Sequence, residues 1–146
     1  MRPPSKFSNS YKESKILTRK EVRKLTEKEG RGLIAFEKEL ESRQWFKEMD
    51  PLEIKVISDG GWKRRWGIYQ YKERVALIGS QGQSLIEMKR TILHECAHHI
   101  EWRHAPGFIR YKGVVHGWNF RIILSRLNED ISLKEVLKGL SPYPVR

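Results

Sequence analysis

The stretch Ser84–Trp102, with the sequence SLIEMKRTILHECAHHIEW, decides the predicted fold. Ser84 and Glu87 form the S-x-x-E pattern of a capping box, which predicts a helix that begins at Leu85 and continues to about Trp102. Helical spacing puts Leu85, Met88, Ile92 and Cys96 on one side, and Glu87, Arg90, His94, His98 and Glu101 on the other. The stretch therefore predicts an amphipathic helix with an apolar side on the core and a polar side that presents two histidines.

The polar side carries the pattern H-E-x-x-H as His94-Glu95-Cys96-Ala97-His98. A spacing of four places the two imidazoles one turn apart on the same face, where both can bind one Zn²⁺. Glu95 lies beside them and can reach a water at such a metal. All five histidines of the chain fall between positions 94 and 116. This clustering favours a metal site over a solvated helix face with incidental histidines.

A catalytic zinc needs a third protein ligand, and three residues are candidates. His104 has the spacing of the metzincin pattern, but Glu101 stands where that pattern needs the glycine of a tight turn. Glu129 suits a glutamate-liganded site, although it lies in a polar run that resembles a helix end. His116 precedes a predicted helix. The residues alone leave these three alternatives open.

Other segments predict an α+β domain around this helix. Residues 17–30 suggest a short helix capped by Thr18, and the spacing of Leu33, Phe36 and Leu40 predicts a second helix that ends before Pro51. Alternation from Leu52 to Val56 predicts a strand, and the stretches 66–71 and 74–80 predict an antiparallel hairpin. We therefore expect a small three-stranded antiparallel sheet.

The chain after the histidines predicts two further helices. Apolar residues from Phe120 to Leu127 recur at three and four, which predicts a helix that begins just after His116 and Gly117. Ser132 and Glu135 predict a short capped helix that ends near Gly139. We expect a flexible basic arm over residues 1–16 and one domain over residues 17–146.

Composition limits the class of protein. The chain has 146 residues, 38% of them hydrophobic, which is enough for one core and excludes global disorder. The single cysteine, Cys96, excludes an internal disulfide framework and a four-cysteine zinc ribbon. No apolar run is long enough to span a membrane, and the first residues lack the apolar region of a secretory signal. We expect a monomer that is not secreted and that is cytoplasmic or associated with the nucleoid or nucleus.

The charge predicts a polyanionic partner. Lys and Arg number 29 against 18 Asp and Glu, a formal net charge of +11, and most of the excess lies in residues 1–30 and 61–90. Lys63, Arg64 and Arg65 lie between Trp62 and Trp66, a combination that suits phosphates next to unpaired bases. The alternative is a basic hairpin tip whose tryptophans fold into the core. We expect DNA binding without sequence preference, with further contacts from the N-terminal arm.

The two histidine motifs together resemble a known family. His94-Glu95-Cys96-Ala97-His98 followed by His116-Gly117-Trp118-Asn119-Phe120 is similar to the SprT-like (Spartan) metallopeptidases, closely over residues 91–127 and loosely over 52–127. The resemblance implies that His116 is the third zinc ligand. It also implies an endopeptidase that acts on DNA-associated proteins, in DNA–protein crosslink repair.

The sequence departs from the family at two places. No cysteines of a zinc ribbon follow the peptidase motifs, so we expect recruitment through the surface of the domain itself. His99 is bulkier than the residue expected after the second histidine, and its angle on the helix predicts a core or flanking position.

The expected mechanism uses zinc held by His94, His98 and His116, with Glu95 as the base that moves the proton of a water to the leaving amine. An edge strand, expected at 74–80, aligns the peptide substrate. The oxyanion donor is unassigned, and Tyr69, Tyr71, Arg110 and Tyr111 are candidates by chemistry alone.

Two other functions remain open. One is a protease that cleaves a specific regulator, as in ImmA-like proteins, with an acidic third ligand in place of His116. The other is a non-enzymatic, basic nucleic-acid-binding module with a closed structural zinc that has a fourth protein ligand such as His104.

Overall fold

A computed structural model describes residues 25–57, 66–80, 82–105 and 116–140. These stretches form five helices and three strands in the order α1 (Glu27–Ser42), α2 (Gln44–Glu48), β1 (Glu53–Ile57), β2 (Gly67–Gln70), β3 (Val75–Gly79), α3 (Leu85–His104), α4 (Trp118–Arg126) and α5 (Leu133–Val136). The combination of helices with a three-stranded sheet confirms the expected α+β class.

Helix α1 begins earlier than its apolar spacing predicts. Thr26 and Glu29 form a reciprocal capping box, in which the Thr26 side chain accepts a hydrogen bond from the Glu29 backbone N–H. The helix then continues through Gly30 and Gly32. A Cβ at Gly32 would lie 2.4 Å from Cδ2 of Leu85 in α3. The missing side chain therefore lets α1 pack closely against the start of α3.

The sheet has the strand order β1-β3-β2 and is mixed. Strands β2 and β3 are antiparallel, as the hairpin prediction requires, with Tyr69 opposite Ala76. Strands β1 and β3 are parallel, with Ile54 opposite Ala76. The expected all-antiparallel sheet is therefore wrong. Strand β3, with the sequence VALIG, is buried over most of its length, which suits a central strand. Strand β2, with the sequence GIYQ, is only partly buried.

This order also corrects the expected position of the substrate-aligning strand. Residues 74–80 hold the central strand β3, which has hydrogen-bonded neighbours on both sides. In the described part of the chain, the two strands with a single neighbour are β1 and β2. Of these two edge strands, β2 packs along α3. It is therefore the edge strand nearest the histidine motif.

Helix α3 lies against the sheet, α1 and α4. Its capping box at Ser84 and Glu87 is formed as predicted, and it ends two residues later than expected. Met88, Ile92 and Cys96 are fully buried in the core, which also holds Leu33, Phe36 and Leu40 of α1, Ile54 and Val56 of β1, Ile78 of β3, and Phe120 and Ile123 of α4. Glu101, which the helical angle placed on the polar side, is only 6% exposed. The neighbouring elements cover more of α3 than its own periodicity indicates.

The short helix α2 joins the two ends of the described chain. The Trp45 indole Nε1 donates a hydrogen bond to the Glu129 carbonyl at 3.1 Å, and the Gln44 backbone N–H donates to Asp130 Oδ1 at 2.8 Å. The Glu48 carboxylate accepts a hydrogen bond from the backbone N–H of Leu133, at the start of α5. These contacts hold the connection between α4 and α5 against α2.

Several predictions fall outside the described residues. They are the N-terminal arm, the helix capped by Thr18, and the basic group Lys63, Arg64 and Arg65. Trp66 is described and is 51% exposed, so it does not fold into the core. Among the helices that the structure describes, we find none with the length and apolar character needed to cross a membrane.

Candidate metal centre

Helix α3 presents His94 and His98 on one face, one turn apart. Their ring centroids are 4.9 Å apart, and both side chains are half-buried. Because both belong to one regular helix, the spacing follows from its geometry alone. The helix thus supplies two of the side chains that a metal site requires.

His116 completes the group from the segment just before α4. It lies two residues before α4, whose backbone begins after the N-cap Gly117, and α4 packs against α3. His116 Nε2 is 3.1 Å from His94 Nε2 and 3.2 Å from His98 Nε2. Potential ligand atoms of all three residues lie within 4.8 Å of one another.

The donor atoms fit a metal ion better than they fit one another. A neutral imidazole nitrogen has one in-plane site, which holds either a proton or a lone pair. His116 Nε2 faces two other nitrogens, so it cannot donate to one and accept from the other through that single site. Two nitrogens bound to one tetrahedral zinc lie about 3.3 Å apart, given Zn–N distances of about 2.0–2.1 Å. The observed separations of 3.1 and 3.2 Å are close to this value.

The surroundings favour the neutral forms of His94 and His116. Burial lowers the pKa of His94, and nearby His116 lowers it further. Burial also lowers the pKa of His116, with a contribution from Arg121. A neutral imidazole keeps the lone pair that a metal binds, so both shifts favour coordination. The three histidines are therefore close enough to bind a metal ion, and the lowered pKa values of His94 and His116 favour coordination.

Glu95 lies on the flank of α3 next to this cluster. It is 4% exposed, and in the part of the chain that the structure describes no hydrogen bond or ion pair reaches its carboxylate. Burial raises its pKa to about 7. A buried carboxyl without a partner is costly for a fold, so such a group beside three converging histidines is typical of a functional site.

Strand β2 runs along the same flank of α3. A Cβ at Gly67 would lie 2.7 Å from the Thr91 methyl carbon and 3.0 Å from Glu95 Oε2. Farther along β2, the Tyr69 hydroxyl is 2.7 Å from Nδ1 of His99. The Glu95 carboxylate therefore lies directly against the backbone of an edge strand.

Gln83 anchors the start of β2. Its side-chain amide donates hydrogen bonds to the carbonyl groups of Trp66 and Gly79, and its carbonyl oxygen accepts one from Thr91 Oγ1 at 2.6 Å. Gln83 is itself buried. It therefore joins β2, β3 and α3 at the end of the strand that approaches Glu95.

The two other candidates for the third ligand, His104 and Glu129, lie outside the histidine cluster. His104 Nε2 accepts a hydrogen bond from the Asp50 backbone N–H at 2.9 Å. Glu129 is exposed in the turn after α4, where its carbonyl accepts the hydrogen bond from Trp45. Neither belongs to the group of potential ligands around His94.

His99 has a core position, as its helical angle predicts. It is fully buried, and burial lowers its pKa to about 4. Its Nε2 is 2.8 Å from the Asp50 carbonyl oxygen, which can only accept, so Nε2 carries the proton and Nδ1 accepts from the Tyr69 hydroxyl.

Tyr69 is thereby engaged with His99 rather than free as an oxyanion donor. Arg110 and Tyr111 lie outside the described residues, and Tyr71 packs against Trp102.

Sequence reasoning missed one residue at this site. Phe120 was expected only as a core residue of α4, but its ring contacts all three imidazoles of the cluster, at centroid distances of 4.4 to 4.9 Å. The signal was present, because Phe120 follows His116 by four positions and so lies on the same side of the helix start.

Comparisons with protein-family models, with curated proteins and with solved structures find no match for this chain.

Proposed function

We propose that this protein is a zinc-dependent metallopeptidase of the SprT-like type. The observation that carries the proposal is the convergence of the His94, His98 and His116 Nε2 atoms beside the buried carboxylate of Glu95, which has no hydrogen bond or ion pair with any described residue. The histidine cluster and the carboxyl group have separate roles in peptide hydrolysis. Three histidines suit a metal, and a carboxyl group next to them suits proton transfer.

The donor set favours zinc. Three converging imidazole nitrogens are typical of catalytic zinc, whereas Ca²⁺ and Mg²⁺ prefer oxygen ligands. A zinc ion bound in this way acts as a Lewis acid toward a carbonyl oxygen and lowers the pKa of water. His94, His98 and His116 would hold it, and no fourth ligand joins them among the described residues.

Glu95 is the proposed general base and acid. Its carboxyl group accepts a proton from the attacking water and returns that proton to the amine nitrogen as the peptide C–N bond breaks. Within the described part of the chain no hydrogen bond competes with this exchange. Its position against Gly67 puts the proton carrier beside an edge strand.

Strand β2 is the proposed support for the substrate. One of its edges pairs with β3, and in the described part of the chain its other edge has no strand partner. An extended peptide can hydrogen-bond to such an edge in the manner of an added strand. The peptide would then pass Gly67, where the absence of a side chain leaves the carboxylate of Glu95 next to the strand backbone.

The proposed substrates are proteins bound to DNA. Support comes from the net charge of +11, which favours binding to phosphates without base recognition. DNA would bring the enzyme and its protein substrate together and so stimulate cleavage. The residues expected to make these contacts lie outside the described structure, so this part of the proposal rests on the sequence.

The geometry gives less support to the two alternatives. A regulator-cleaving protease with an acidic third ligand needs Glu129 or a similar group in the cluster, and Glu129 lies in the turn after α4. A closed structural zinc site needs a fourth ligand such as His104, and that imidazole accepts a hydrogen bond from Asp50 instead.

The test compares Glu95→Gln with the matched control Glu129→Gln in zinc-loaded protein. We expect wild type and the control to cleave β-casein and Glu95→Gln to be inactive, with about one zinc per chain in all three by mass spectrometry of the metal. Cleavage by Glu95→Gln, or loss of its zinc, would refute the assigned role. Loss of activity in Glu129→Gln would instead favour an acidic third ligand.

A further inference from the structure

The Phe120 ring lies against the whole histidine cluster. Its centroid is 4.9 Å from that of His94, 4.4 Å from that of His98 and 4.8 Å from that of His116. The ring is 2% exposed and belongs to the hydrophobic core. One buried side chain thus contacts three side chains that come from two different elements.

The three contacts differ in angle. The ring is inclined at 66° to the imidazole of His94, 31° to that of His98 and 46° to that of His116. Edge-to-face and offset geometries are the ones that aromatic rings prefer. Each imidazole therefore meets the Phe120 ring at its own angle, and a rotation of any imidazole would disturb its contact with this ring.

Such a restraint matters because the described residues do not supply the usual one to two of the histidines. Metal-bound histidines are normally oriented by a hydrogen bond from the second ring nitrogen to a carboxylate or a carbonyl group. In the stretches that the structure describes, no such bond reaches the Nδ1 atoms of His94 and His116. The torsion that rotates a histidine ring is soft by itself. Packing must then set the ring orientation.

We propose that Phe120 is a positioning residue that orients the three imidazoles and thereby preorganises the metal site. At His94 and His116 it does what an Nδ1 hydrogen bond would do, since none reaches these atoms from the described residues. The inference rests on the metal-binding half of the proposed function, but it does not depend on peptidase activity. According to this proposal, one core residue determines the coordination geometry of the metal site.

Phe120→Leu tests the proposal, because it keeps a buried apolar side chain and removes the flat ring. Phe46→Leu is the matched control, since Phe46 is similarly buried, 3% exposed, and its ring packs edge-on against Trp45 of the same helix. The affinity for Zn²⁺ is measured by competition with a chromophoric chelator. The visible absorption spectrum of bound Co²⁺ reports the coordination geometry without any assay of activity.

We expect Phe120→Leu to weaken zinc binding about 10- to 100-fold, the range typical for loss of an outer-sphere partner, and to shift the Co²⁺ bands. Phe46→Leu should lower the melting temperature and leave the affinity and the spectrum unchanged. An unchanged affinity and spectrum in Phe120→Leu would overturn the proposal. So would an equal loss of affinity in Phe46→Leu, because the effect would then come from general destabilisation.

Phe120→Met is the second variant, with an unbranched side chain that adapts to core gaps. If neither Phe120 variant folds while Phe46→Leu does, Phe120 is needed for the core itself and the proposal is overturned. Wild type that binds neither ion would overturn this inference together with the proposed function. Wild type that binds zinc without cleaving casein would refute only the peptidase proposal.

Discussion

The Tyr69 hydroxyl donates a hydrogen bond to Nδ1 of the fully buried His99, with 2.7 Å between the two atoms. Tyr69 belongs to the edge strand β2, and His99 follows the second histidine of the H-E-x-x-H motif. The bond therefore fixes the strand to the helix that carries the candidate metal ligands. On its other side, His99 donates to the Asp50 carbonyl oxygen, which extends the connection to the segment before β1.

Tyr69→Phe should destabilise the protein by about 1–3 kcal/mol, because it leaves a buried acceptor on His99 without a donor. Chemical denaturation at neutral pH measures the change in the free energy of unfolding. Gln70→Ala, at an exposed position of the same strand, is the control and should change stability little. Zinc affinity should stay at the wild-type level, and a large loss of affinity would show that the hydrogen bond positions His98 as well.

The elements that local sequence determines were predictable. The capping box of Ser84 and Glu87 predicts the start of α3. The four-residue spacing of His94 and His98 places both side chains on one face of any regular helix. These features depend on residues within one or two turns of each other. For the same reason the hairpin of β2 and β3 was predicted correctly.

The relations between distant segments were not predictable. The parallel pairing of Ile54 with Ala76 joins residues on strands that are not consecutive in the chain, and alternation of side chains gives no strand direction. That pairing makes β3 central and leaves β2 at the edge. The burial of Glu101 and the contacts of Phe120 with His94 and His98 also depend on neighbours from other elements, which the periodicity of a single helix does not contain.

His116→Ala should weaken zinc binding by more than the roughly 10- to 100-fold typical of an outer-sphere change, because it removes a ligand. His104→Ala is the matched control. It should leave the affinity near that of wild type and lower stability, since the Asp50 N–H loses its acceptor. The opposite ranking of the two variants would favour the metzincin-like spacing. Equal losses would favour a closed site with four protein ligands.

DNA affinity should depend on the basic group Lys63, Arg64 and Arg65. Replacing all three by alanine removes up to three phosphate contacts, so the slope of log affinity against log salt concentration should flatten by up to about 3 for duplex DNA. Fluorescence anisotropy over a series of salt concentrations measures this slope. Cleavage of a DNA-free peptide should be nearly unchanged.

The control for the DNA measurement is the triple alanine variant of Lys28, Lys38 and Lys134, which are exposed on α1 and α5. This variant removes the same three positive charges from other positions in the chain. An equal effect of both triple variants would mean that binding follows net charge alone. No DNA binding by wild type near physiological salt would remove the nucleic-acid part of the proposed function.

Gly67 of β2 lies directly against the Glu95 carboxylate. Its φ angle is not in the left-handed region, so the requirement for glycine is one of space. An added Cβ would lie 2.7 Å from the Thr91 methyl carbon, closer than carbon atoms approach in real structures. Either the strand or the Thr91 and Glu95 side chains must then move.

Gly67→Ala should therefore cost about 1–3 kcal/mol of stability, as overpacked sites do, and should lower kcat with little change in zinc affinity. The double variant Gly67→Ala with Thr91→Ser removes the methyl group and keeps the hydroxyl that donates to Gln83. It should recover most of the stability. Because the contact with Glu95 Oε2 remains, it should recover less of the activity. Full recovery of both would show that the strand moves only to avoid Thr91, and the close approach of Gly67 to Glu95 would then have no part in catalysis.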